Sequence, residues 1–412
     1  MADKLSALKR WWYGKASSSQ KVEETTRKTE GLAARYKDEL TEKGMDGVKK
    51  FISDDLKDWQ RYPLHTGVTG NSGSGKSSFI NTLRGLTALD DGAAAVGVDE
   101  TTQNCAQYEH PDNKSFIVWD LPGVGTPNFP KESYLAQVGY ERFDFFIVVS
   151  KTRFTENDMW LAKQITHSGK TFFFVRTNIE ADVANDKRTS KNHNENTLLR
   201  SMKQNAEANL QKGGINNPKV FLIDNYAPEK YDFGKLNNEL LASCEGLKKD
   251  AVALSLSAVT GEVIDEKKRV LEGRIHQVAL GITTSSEKDE QRRKFQSEIN
   301  FYLKQFNVDG STLSENKEIL SINDFDIKSF SLVVDGAEHG PGTTIKSPTA
   351  LRAEMSTWKR FADHFTWSKE KTLLYGFCQM ALQKNLDMLH SQSKQFYDKK
   401  RVKAMISGAT SQ

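Results

Sequence analysis

The sequence predicts an α/β domain over residues 61–258, combined with an all-α domain built from the segments 1–60 and 259–412. Three observations lead to this fold class. Short apolar runs alternate with amphipathic stretches in the middle of the chain, as they do in a parallel sheet covered by helices. Both flanking segments carry apolar residues at helical spacing. A glycine-rich motif follows the first apolar run, at the position where such sheets bind ligands.

The N-terminal segment is predicted to be helical from about residue 18 to residue 60. The apolar residues that share one face of this helix are Val48, Phe51, Ile52, Leu56 and Trp59. Pro63 is expected to close it, because proline cannot continue a helix without losing a backbone hydrogen bond. Basic residues surround Trp11 and Trp12, a mixture that suits either a lipid interface or packing on a neighbouring helix.

Five strands are predicted in the central segment from its short apolar runs. They are His65–Thr69, Ser115–Trp119, Asp144–Val149, Thr171–Arg176 and Val220–Asp224. The helical stretches predicted between them include Ser77–Leu83, Lys131–Tyr140, Glu156–His167 and Asn196–Lys212. Because strands and helices alternate, we expect a parallel sheet with helices on both faces.

The strand pattern ends at about residue 259. Thr260 with Glu262 and Asp265 predicts the start of a charged helix with an acidic first turn. A later stripe of helical spacing indicates a core-facing helix; it comprises Leu374, Phe377, Cys378, Ala381, Leu382, Met388 and Leu389. Asp335–Pro348 is rich in glycine and proline and is expected to form a loop within this helical region.

One motif satisfies the phosphate-loop pattern G-x-x-x-x-G-K-[ST] between a predicted strand and a predicted helix. It reads Gly70, Asn71, Ser72, Gly73, Ser74, Gly75, Lys76 and Ser77, with Ser78 next. The glycines allow backbone N–H groups to point at phosphate oxygens where side chains would obstruct them. Lys76 supplies a positive charge between the terminal phosphates, and the Ser77 hydroxyl is a ligand for Mg²⁺. The motif therefore predicts binding of a nucleoside triphosphate.

A second motif, D-x-x-G, begins at Asp120, where an apolar strand ends. Asp120 is expected to hold Mg²⁺ through its water shell, and the N–H of Gly123 to sense the terminal phosphate. Between the two motifs, the small-residue loop Gly92–Thr102 is expected to close a threonine over Mg²⁺. Thr102 is the preferred residue and Thr101 is the alternative.

The residues that follow D-x-x-G depart from the usual pattern. Small GTPases place a glutamine there to orient the attacking water, whereas Val124, Gly125 and Thr126 follow here. Slow hydrolysis is therefore expected unless a partner or a second copy of the chain supplies a group.

The residues assigned to the nucleotide base lie at or just after the ends of two predicted strands and are Thr177, Asn178, Glu180, Asp182, Asp224 and Asn225. GTPases normally carry [N/T]-K-x-D after the first of these strands. Asn178 stands in place of the lysine and is too short to lie across a base. Glu180 stands in place of the aspartate and keeps both acceptor oxygens, one methylene further out. Asp182 is the alternative reader if the loop is shifted.

Composition limits the other classes of function. A net charge of +4 over 412 residues does not imply nucleic acid as the main partner. No run approaches the roughly 20 apolar residues of a membrane span, and no secretory signal is expected. Ala2 stands where N-myristoylation requires glycine. We therefore expect a cytoplasmic protein with scattered reduced thiols at Cys105, Cys244 and Cys378.

With these motifs in place, the chain resembles the immunity-related GTPases, interferon-inducible relatives of the dynamin class. The resemblance rests on Gly70–Ser77, Gly92–Thr102, Trp119–Gly125, Asn128–Pro130, Asp144–Phe154, Phe174–Thr177 and Phe301–Asp309. It implies a Ras-like GTP-binding domain beside a helical domain, GTP-dependent homo-oligomers across the nucleotide face, and action at intracellular membranes or pathogen vacuoles in cell-autonomous defence. Lys76 matches the effector-type members, and Glu100 matches the family's switch acid, which acts when two nucleotide domains face each other.

The sequence departs from the family at Thr177–Glu180, which breaks the family's T-K-x-D motif. This departure, together with the missing glutamine after D-x-x-G, leaves the alternative of a regulatory or scaffold protein that binds nucleotide with little hydrolysis. The departure alone leaves the alternative that the chain hydrolyses ATP or several nucleotides, because its base site is relaxed.

Overall fold

The computed structural model describes residues 19–96, 104–126, 128–151, 154–306 and 369–409. Over these residues the chain forms two compact units. The sheet unit comprises residues 58–270, 305–306 and 390–409, and the helical unit comprises residues 19–57, 271–304 and 369–389. The predicted α/β class with an added all-α part is confirmed. The proposed domain limits at residues 60 and 258 stay a prediction.

The sheet unit is built on a sheet of six strands within the described residues. They are β1 Leu64–Gly70, β2 Ala106–His110, β3 Asn113–Asp120, β4 Phe145–Ser150, β5 Thr171–Arg176 and β6 Val220–Leu222. Their order across the sheet is β2-β3-β1-β4-β5-β6. All neighbours from β3 to β6 pair in parallel. The carboxyl ends of β1, β3, β4 and β5 therefore lie along one edge.

The expectation of a wholly parallel sheet is wrong at one edge, because β2 pairs antiparallel with β3. The short turn Pro111-Asp112 joins the two strands. The first four residues of β2 alternate between half-buried and exposed positions and only His110 is buried, so β2 lacks the continuous apolar run that marks the other strands. An edge strand with one solvated face gives only a weak sequence signal.

The helices in the described residues are α1 Ser19–Asp55, α2 Lys76–Leu83, α3 Tyr134–Val138, α4 Glu156–His167, α5 Ile179–Thr189, α6 Glu195–Lys212, α7 Phe233–Ala242, α8 Gly246–Ser255, α9 Gly261–Thr283, α10 Lys288–Gln305 and α11 Lys369–Ala409. The helix predicted over Lys131–Tyr140 is wrong as a single element. A 3-10 turn at Lys131–Ser133 precedes α3, and Gly139 ends α3 with φ 66°, a left-handed conformation that stops the helix.

Strand β4 shows how the core of the sheet unit forms. All of its side chains are buried, and they alternate between the two faces of the sheet. Phe145, Ile147 and Val149 join the apolar layer that includes α2, α7 and α8. Phe146 and Val148 join the opposite layer, which includes α3, α4 and α6. Burial on both faces explains why this strand reads as an unbroken apolar run.

The helical unit confirms most of the predicted stripes. Val48 and Ile52 of α1 are buried, as are Cys378, Ala381, Leu382 and Leu389 of α11. The end of the N-terminal helix is predicted wrongly. Helix α1 ends at Asp55, and Trp59 lies in a separate 3-10 turn, Asp58–Gln60, before Pro63 is reached. Within α1, Gly44 leaves the helical conformation with φ 66°.

The predicted start of the charged helix is also confirmed. Thr260 Oγ1 accepts a hydrogen bond of 3.2 Å from the N–H of Val263 at the start of α9, which satisfies one of the free N–H groups of the first turn. None of the helices in the described ranges is long and apolar enough to cross a membrane. Trp11, Trp12 and the predicted loop Asp335–Pro348 lie outside the described residues.

Lys267 of α9 is a buried cation in the sheet unit. Its Nζ donates to Gln305 Oε1 at 2.8 Å and to the Leu254 carbonyl at 3.3 Å. Burial lowers the pKa of Lys267 to about 7, because a charged ammonium loses its hydration there. The folded protein therefore releases this proton near neutral pH, whereas the unfolded chain keeps it until about pH 10.

This buried lysine predicts a pH dependence of stability. Between these two pKa values the unfolded chain binds more protons, so the free energy of unfolding rises with pH. We expect Lys267 to contribute about 1–2 kcal/mol to that rise between about pH 7 and about pH 9. Urea unfolding at both pH values checks this, with a smaller rise expected for Lys267→Met. The exposed Lys212→Met is the control, and an equal rise in all three proteins would contradict the assignment.

Candidate functional site

The phosphate-loop motif joins the carboxyl end of β1 to the start of α2. Three of its glycines have positive φ: Gly70 at 143°, Gly73 at 70° and Gly75 at 88°. At Gly70 the backbone passes so close to β4 that a Cβ atom would lie 2.0 Å from the Val149 carbonyl oxygen. A side chain at this position is therefore excluded by both conformation and space.

Lys76 closes the loop on itself. Its side chain is 7% exposed, and its Nζ donates to the Asn71 carbonyl at 3.1 Å. The Asn71 side chain is held in turn by the start of α4. Its Nδ2 donates to Thr155 Oγ1 at 3.0 Å, and its Oδ1 accepts from Asn157 Nδ2 at 3.0 Å. Contacts from Lys76 and from the start of α4 therefore both hold Asn71.

A capping box explains why Thr155 is available to Asn71. Thr155 Oγ1 accepts from the Asp158 N–H at 3.2 Å, and Asp158 Oδ2 accepts from the Thr155 N–H at 2.8 Å. Burial raises the pKa of Asp158, although hydrogen bonds from Thr155 and Ser150 favour its charged form. Thr155, which caps α4, therefore also positions the phosphate loop. Neither the phosphate-loop motif nor the capping box predicts this contact by itself.

The two residues assigned to Mg²⁺ lie in direct contact. Ser77 Oγ donates to Asp120 Oδ2 at 2.7 Å. The sheet creates this contact, because Asp120 at the end of β3 lies opposite Val68 in the parallel register of β1. A hydroxyl and a carboxylate are the oxygen ligands that Mg²⁺ takes in proteins, where it keeps several waters and binds substrate phosphates as well. The donor set at this position fits the ion.

The D-x-x-G turn lies against the phosphate loop. A Cβ atom on Gly123 would stand 3.1 Å from the Ser72 nitrogen, so the turn and the loop are in close contact at this point. After it, the Gly125 N–H donates to the Phe129 carbonyl at 2.9 Å and shapes a tight turn. Val124 in this turn is buried. The position that small GTPases give to glutamine therefore holds a core residue.

Two of the residues assigned to the nucleotide base, Thr177 and Asn225, contact the phosphate loop. Thr177 Oγ1 donates to the Ser74 carbonyl at 2.8 Å, and Asn225 Nδ2 donates to the Gly75 carbonyl at 3.3 Å. A Cβ atom on Gly75 would stand 3.4 Å from Thr177 Oγ1 and 3.4 Å from Asn225 Nδ2. Thr177 and Asn225, which follow β5 and β6 in the chain, therefore hold the phosphate loop in place.

Glu180 lies in the first turn of α5, just after Asn178, whose left-handed backbone (φ 64°) begins that helix. Its carboxylate accepts from the Tyr231 hydroxyl at 2.8 Å and from Lys230 Nζ at 3.1 Å. Partial burial works against the charged form, but these two donors outweigh it and lower the pKa of Glu180. The Glu180 N–H donates to Asp224 Oδ2 at 3.1 Å. Glu180 and Asp224 therefore meet at the start of α5.

Asp182 is engaged differently. Its Oδ2 accepts from Arg176 Nη2 at 2.7 Å, and both side chains are partly buried. This ion pair ties Asp182 to the end of β5 and separates its role from that of Glu180. Sequence reasoning missed the roles of Arg176, Lys230 and Tyr231. Arg176 is the last residue of a predicted strand, whereas no signal in the sequence marks Lys230 and Tyr231.

The predicted switch residues Glu100, Thr101 and Thr102 lie outside the described residues. The described part of that loop is held by α2. Asn81 exchanges two hydrogen bonds with the backbone of Ala94, at 2.9 Å and 2.7 Å. Arg84 Nη1 donates to the Gly92 carbonyl at 3.0 Å. The segment that leads into the switch is thus attached to the helix that begins at Lys76.

The chain is similar to the members of one protein family. A family model described as "Interferon-inducible GTPase (IIGP)" matches residues 30–334. The mouse "Interferon-gamma-inducible GTPase 10" is 32% identical over 339 residues, 81% of this chain and 78% of that protein. The mouse "T-cell-specific guanine nucleotide triphosphate-binding protein 2" is 41% identical over 226 residues, 55% of this chain and 54% of that protein. The chain therefore spans about half the length of this second relative.

Solved structures with low sequence identity also align. One is "Crystal structure of a probable GTP-binding protein engB", with 13% identity, a TM-score of 0.28, and coverage of 44% of this chain and 98% of that chain. Another is "Crystal structure of NFeoB from S. thermophilus bound to GDP.AlF4- and K+", with 15% identity, a TM-score of 0.29, and coverage of 78% and 99%.

Proposed function

The chain belongs to the interferon-inducible GTPase family, and on that premise we propose that it binds GTP with Mg²⁺ and hydrolyses it slowly to GDP. One observation carries the proposal. The Ser77 hydroxyl and the Asp120 carboxylate meet at 2.7 Å beside a glycine loop that opens a helix. A hydroxyl and a carboxylate beside a glycine-rich loop at a helix N-terminus are the groups that a metal-bound triphosphate requires.

Each part of the loop has a proposed task toward the phosphates. Backbone N–H groups of Asn71–Ser78 and the N-terminus of α2 donate to phosphate oxygens. The Lys76 ammonium donates to the terminal phosphates, either in place of the Asn71 carbonyl or in addition to it. Ser77 and Asp120 hold Mg²⁺, which when bound neutralises charge on the phosphates. Gly123 N–H donates to the terminal phosphate, because its backbone lies against Ser72.

For the base, we propose Glu180 as the acceptor of the guanine N–H protons. Its lowered pKa keeps it ionised at neutral pH, and Asp224 fixes its backbone. Both acids are ion-paired, but the Glu180 side chain is 51% exposed whereas that of Asp182 is 27% exposed beside Arg176, so Asp182 is the weaker candidate. Thr177 and Asn225 hold the phosphate loop in place through their hydrogen bonds to the Ser74 and Gly75 carbonyls.

The hydrolysis step is proposed to depend on assembly. Val124–Thr126 provide no glutamine to orient water, so turnover by a single copy is slow. We propose that Glu100 and Thr102 act at the phosphates when two copies face each other, which makes GTP-dependent homo-oligomers the active form. Action on intracellular or vacuolar membranes in cell-autonomous defence, through peripheral contact from the cytoplasm, belongs to the same proposal and is supported by family membership.

The base assignment is tested by measuring the binding of GTP, GDP, ATP and xanthosine triphosphate to wild type, Glu180→Ala and Asp182→Ala. Loss of a charge-assisted contact of about 1.5–3 kcal/mol predicts that Glu180→Ala lowers the preference for GTP over ATP by about 10- to 100-fold. Asp182→Ala is the matched control, and its preference should stay within about twofold of wild type. If only Asp182→Ala lost the preference, Asp182 would be the base reader.

A second candidate function is a regulatory or scaffold protein that binds nucleotide and scarcely hydrolyses it. The buried Val124 at the usual glutamine position favours it. Turnover per molecule, measured over a series of protein concentrations, separates the two. A rise with concentration supports the assembling GTPase, whereas negligible turnover at every concentration supports the scaffold.

A further inference from the structure

Tyr134, the first residue of α3, has its hydroxyl at the boundary between the phosphate loop and the D-x-x-G turn. Its side chain is completely buried. The ring packs edge-on against Phe129 and Trp160, with centroids 6.4 Å away in each case. This packing belongs to the apolar layer on the α3–α4 face of the sheet. The hydroxyl is the one polar atom that this side chain carries into the layer.

The hydroxyl joins two chain segments that are far apart in sequence. It lies 2.9 Å from the Pro122 carbonyl and 2.6 Å from Thr69 Oγ1. A tyrosine hydroxyl has one proton, and the Pro122 carbonyl can only accept. Tyr134 therefore donates to Pro122, and Thr69 Oγ1 donates to Tyr134. Burial raises the pKa of Tyr134, so the hydroxyl keeps its proton and remains a donor.

The two partners are the residues that immediately precede the phosphate-contacting glycines. Thr69 precedes Gly70, where the phosphate loop begins, and Pro122 precedes Gly123 of the D-x-x-G turn. Gly123 in turn lies so near the Ser72 nitrogen that a Cβ would stand 3.1 Å away. A shift of the Pro122 carbonyl therefore moves the Gly123 N–H relative to the loop.

We propose that Tyr134 is a positioning residue: its hydroxyl bridge between Thr69 and Pro122 sets the place of the Gly123 N–H and thereby the preference of the site for a nucleoside triphosphate over a diphosphate. This inference rests on the proposed function, because it requires that the phosphates bind at Gly70–Ser77. A contact made only by the terminal phosphate affects triphosphate binding alone. Misplacing Gly123 is therefore expected to weaken the triphosphate complex selectively.

The test is equilibrium binding of GDP and of a non-hydrolysable β,γ-imido analogue of GTP, with Mg²⁺, to wild type and Tyr134→Phe. Removing the hydroxyl keeps the ring and its packing but breaks both hydrogen bonds. We expect the ratio of the two dissociation constants to move toward the diphosphate by about 3- to 10-fold. Binding of GDP itself should change by less than about twofold.

Two further variants keep the result decisive. Thr69→Val breaks the other half of the bridge and should move the ratio in the same direction, and it decides the question if Tyr134→Phe does not fold. Tyr302→Phe removes a buried hydroxyl from α10 in the helical unit and should leave the ratio unchanged. It controls for a loss of stability, which would lower both affinities together.

The outcomes separate this inference from the function on which it rests. If wild type binds neither nucleotide, the proposed function fails and the role of Tyr134 fails with it. If wild type binds both, and the folded variants at Tyr134 or Thr69 keep the wild-type ratio, the proposed function stands and the positioning role is overturned.

Discussion

Lys76→Ala is expected to weaken binding of GTP and GDP by about 100-fold or more, equal to at least about 2.7 kcal/mol. Lys76 is 7% exposed and its Nζ already lies over the phosphate loop, 3.1 Å from the Asn71 carbonyl. An ammonium in this position meets the phosphates with little competing water, so its charge counts for more than that of a surface lysine. Titration with a fluorescent guanine nucleotide measures the change.

The matched control for this prediction is Lys163→Ala, which removes the same charge from an exposed position on α4. It should bind nucleotide within about twofold of wild type, because exposed charges are screened. Equal binding by Lys76→Ala and wild type would contradict the assignment of the phosphate loop, provided that both proteins unfold at similar urea concentrations.

Gly70→Ala is expected to lower the free energy of unfolding by about 3 kcal/mol or more, because it combines backbone strain with a backbone clash. The added Cβ would stand 2.0 Å from the Val149 carbonyl oxygen, and φ is 143°. The carbonyl belongs to β4, which is buried on both faces, so it cannot move aside cheaply. Urea unfolding of the nucleotide-free protein measures the loss.

Gly73→Ala separates the two causes. Its φ of 70° is also left-handed, but a Cβ there meets nothing within 4 Å. This variant should lose only about 1–2 kcal/mol, the cost of the left-handed conformation alone. A loss at Gly70 no larger than the loss at Gly73 would show that β4 yields to the added carbon, and the close packing of the loop on the sheet would be wrong.

The parts of the fold that the sequence predicts well are those whose signal is local. Strand β4 is an unbroken apolar run because both of its faces are buried. Helix α4 has its predicted bounds, Glu156–His167, because a capping box starts it. Strand β2 is missed because only one of its faces is covered. Helix α5 is missed because Ile179 and Val183 are its only buried residues, and two buried residues in a polar sequence give little apolar periodicity.

In the candidate site, too, the sequence predicts the residues that belong to local motifs and misses the contacts between distant residues. The phosphate-loop and D-x-x-G motifs are visible because their spacing is fixed by backbone chemistry. The contact of Ser77 with Asp120 follows from parallel pairing of β1 and β3, so it is predictable once the fold class is known. Contacts such as Asn71 with Thr155 join residues far apart in sequence without any motif. Partners of that kind are found only from the folded chain.

Glu180 and Asp182 in the first turn of α5 show most clearly what the sequence alone leaves undecided. The sequence leaves Glu180 and Asp182 as alternatives because both lie after the same strand. The fold separates them, since Arg176 pairs with Asp182 while Tyr231 and Lys230 contact Glu180. Lys230 and Tyr231 come from the segment before α7, 50 and 51 residues after Glu180.

Equilibrium binding of GTP and ATP to wild-type protein, with millimolar Mg²⁺ and after chelation, tests whether Gly70–Ser77 and Asp120 form a Mg²⁺-dependent guanine nucleotide site. GTP is expected to bind at least about 10-fold more tightly than ATP, and chelation is expected to weaken GTP binding. Equal affinities for GTP and ATP, or binding of neither nucleotide in the presence of Mg²⁺, would contradict it.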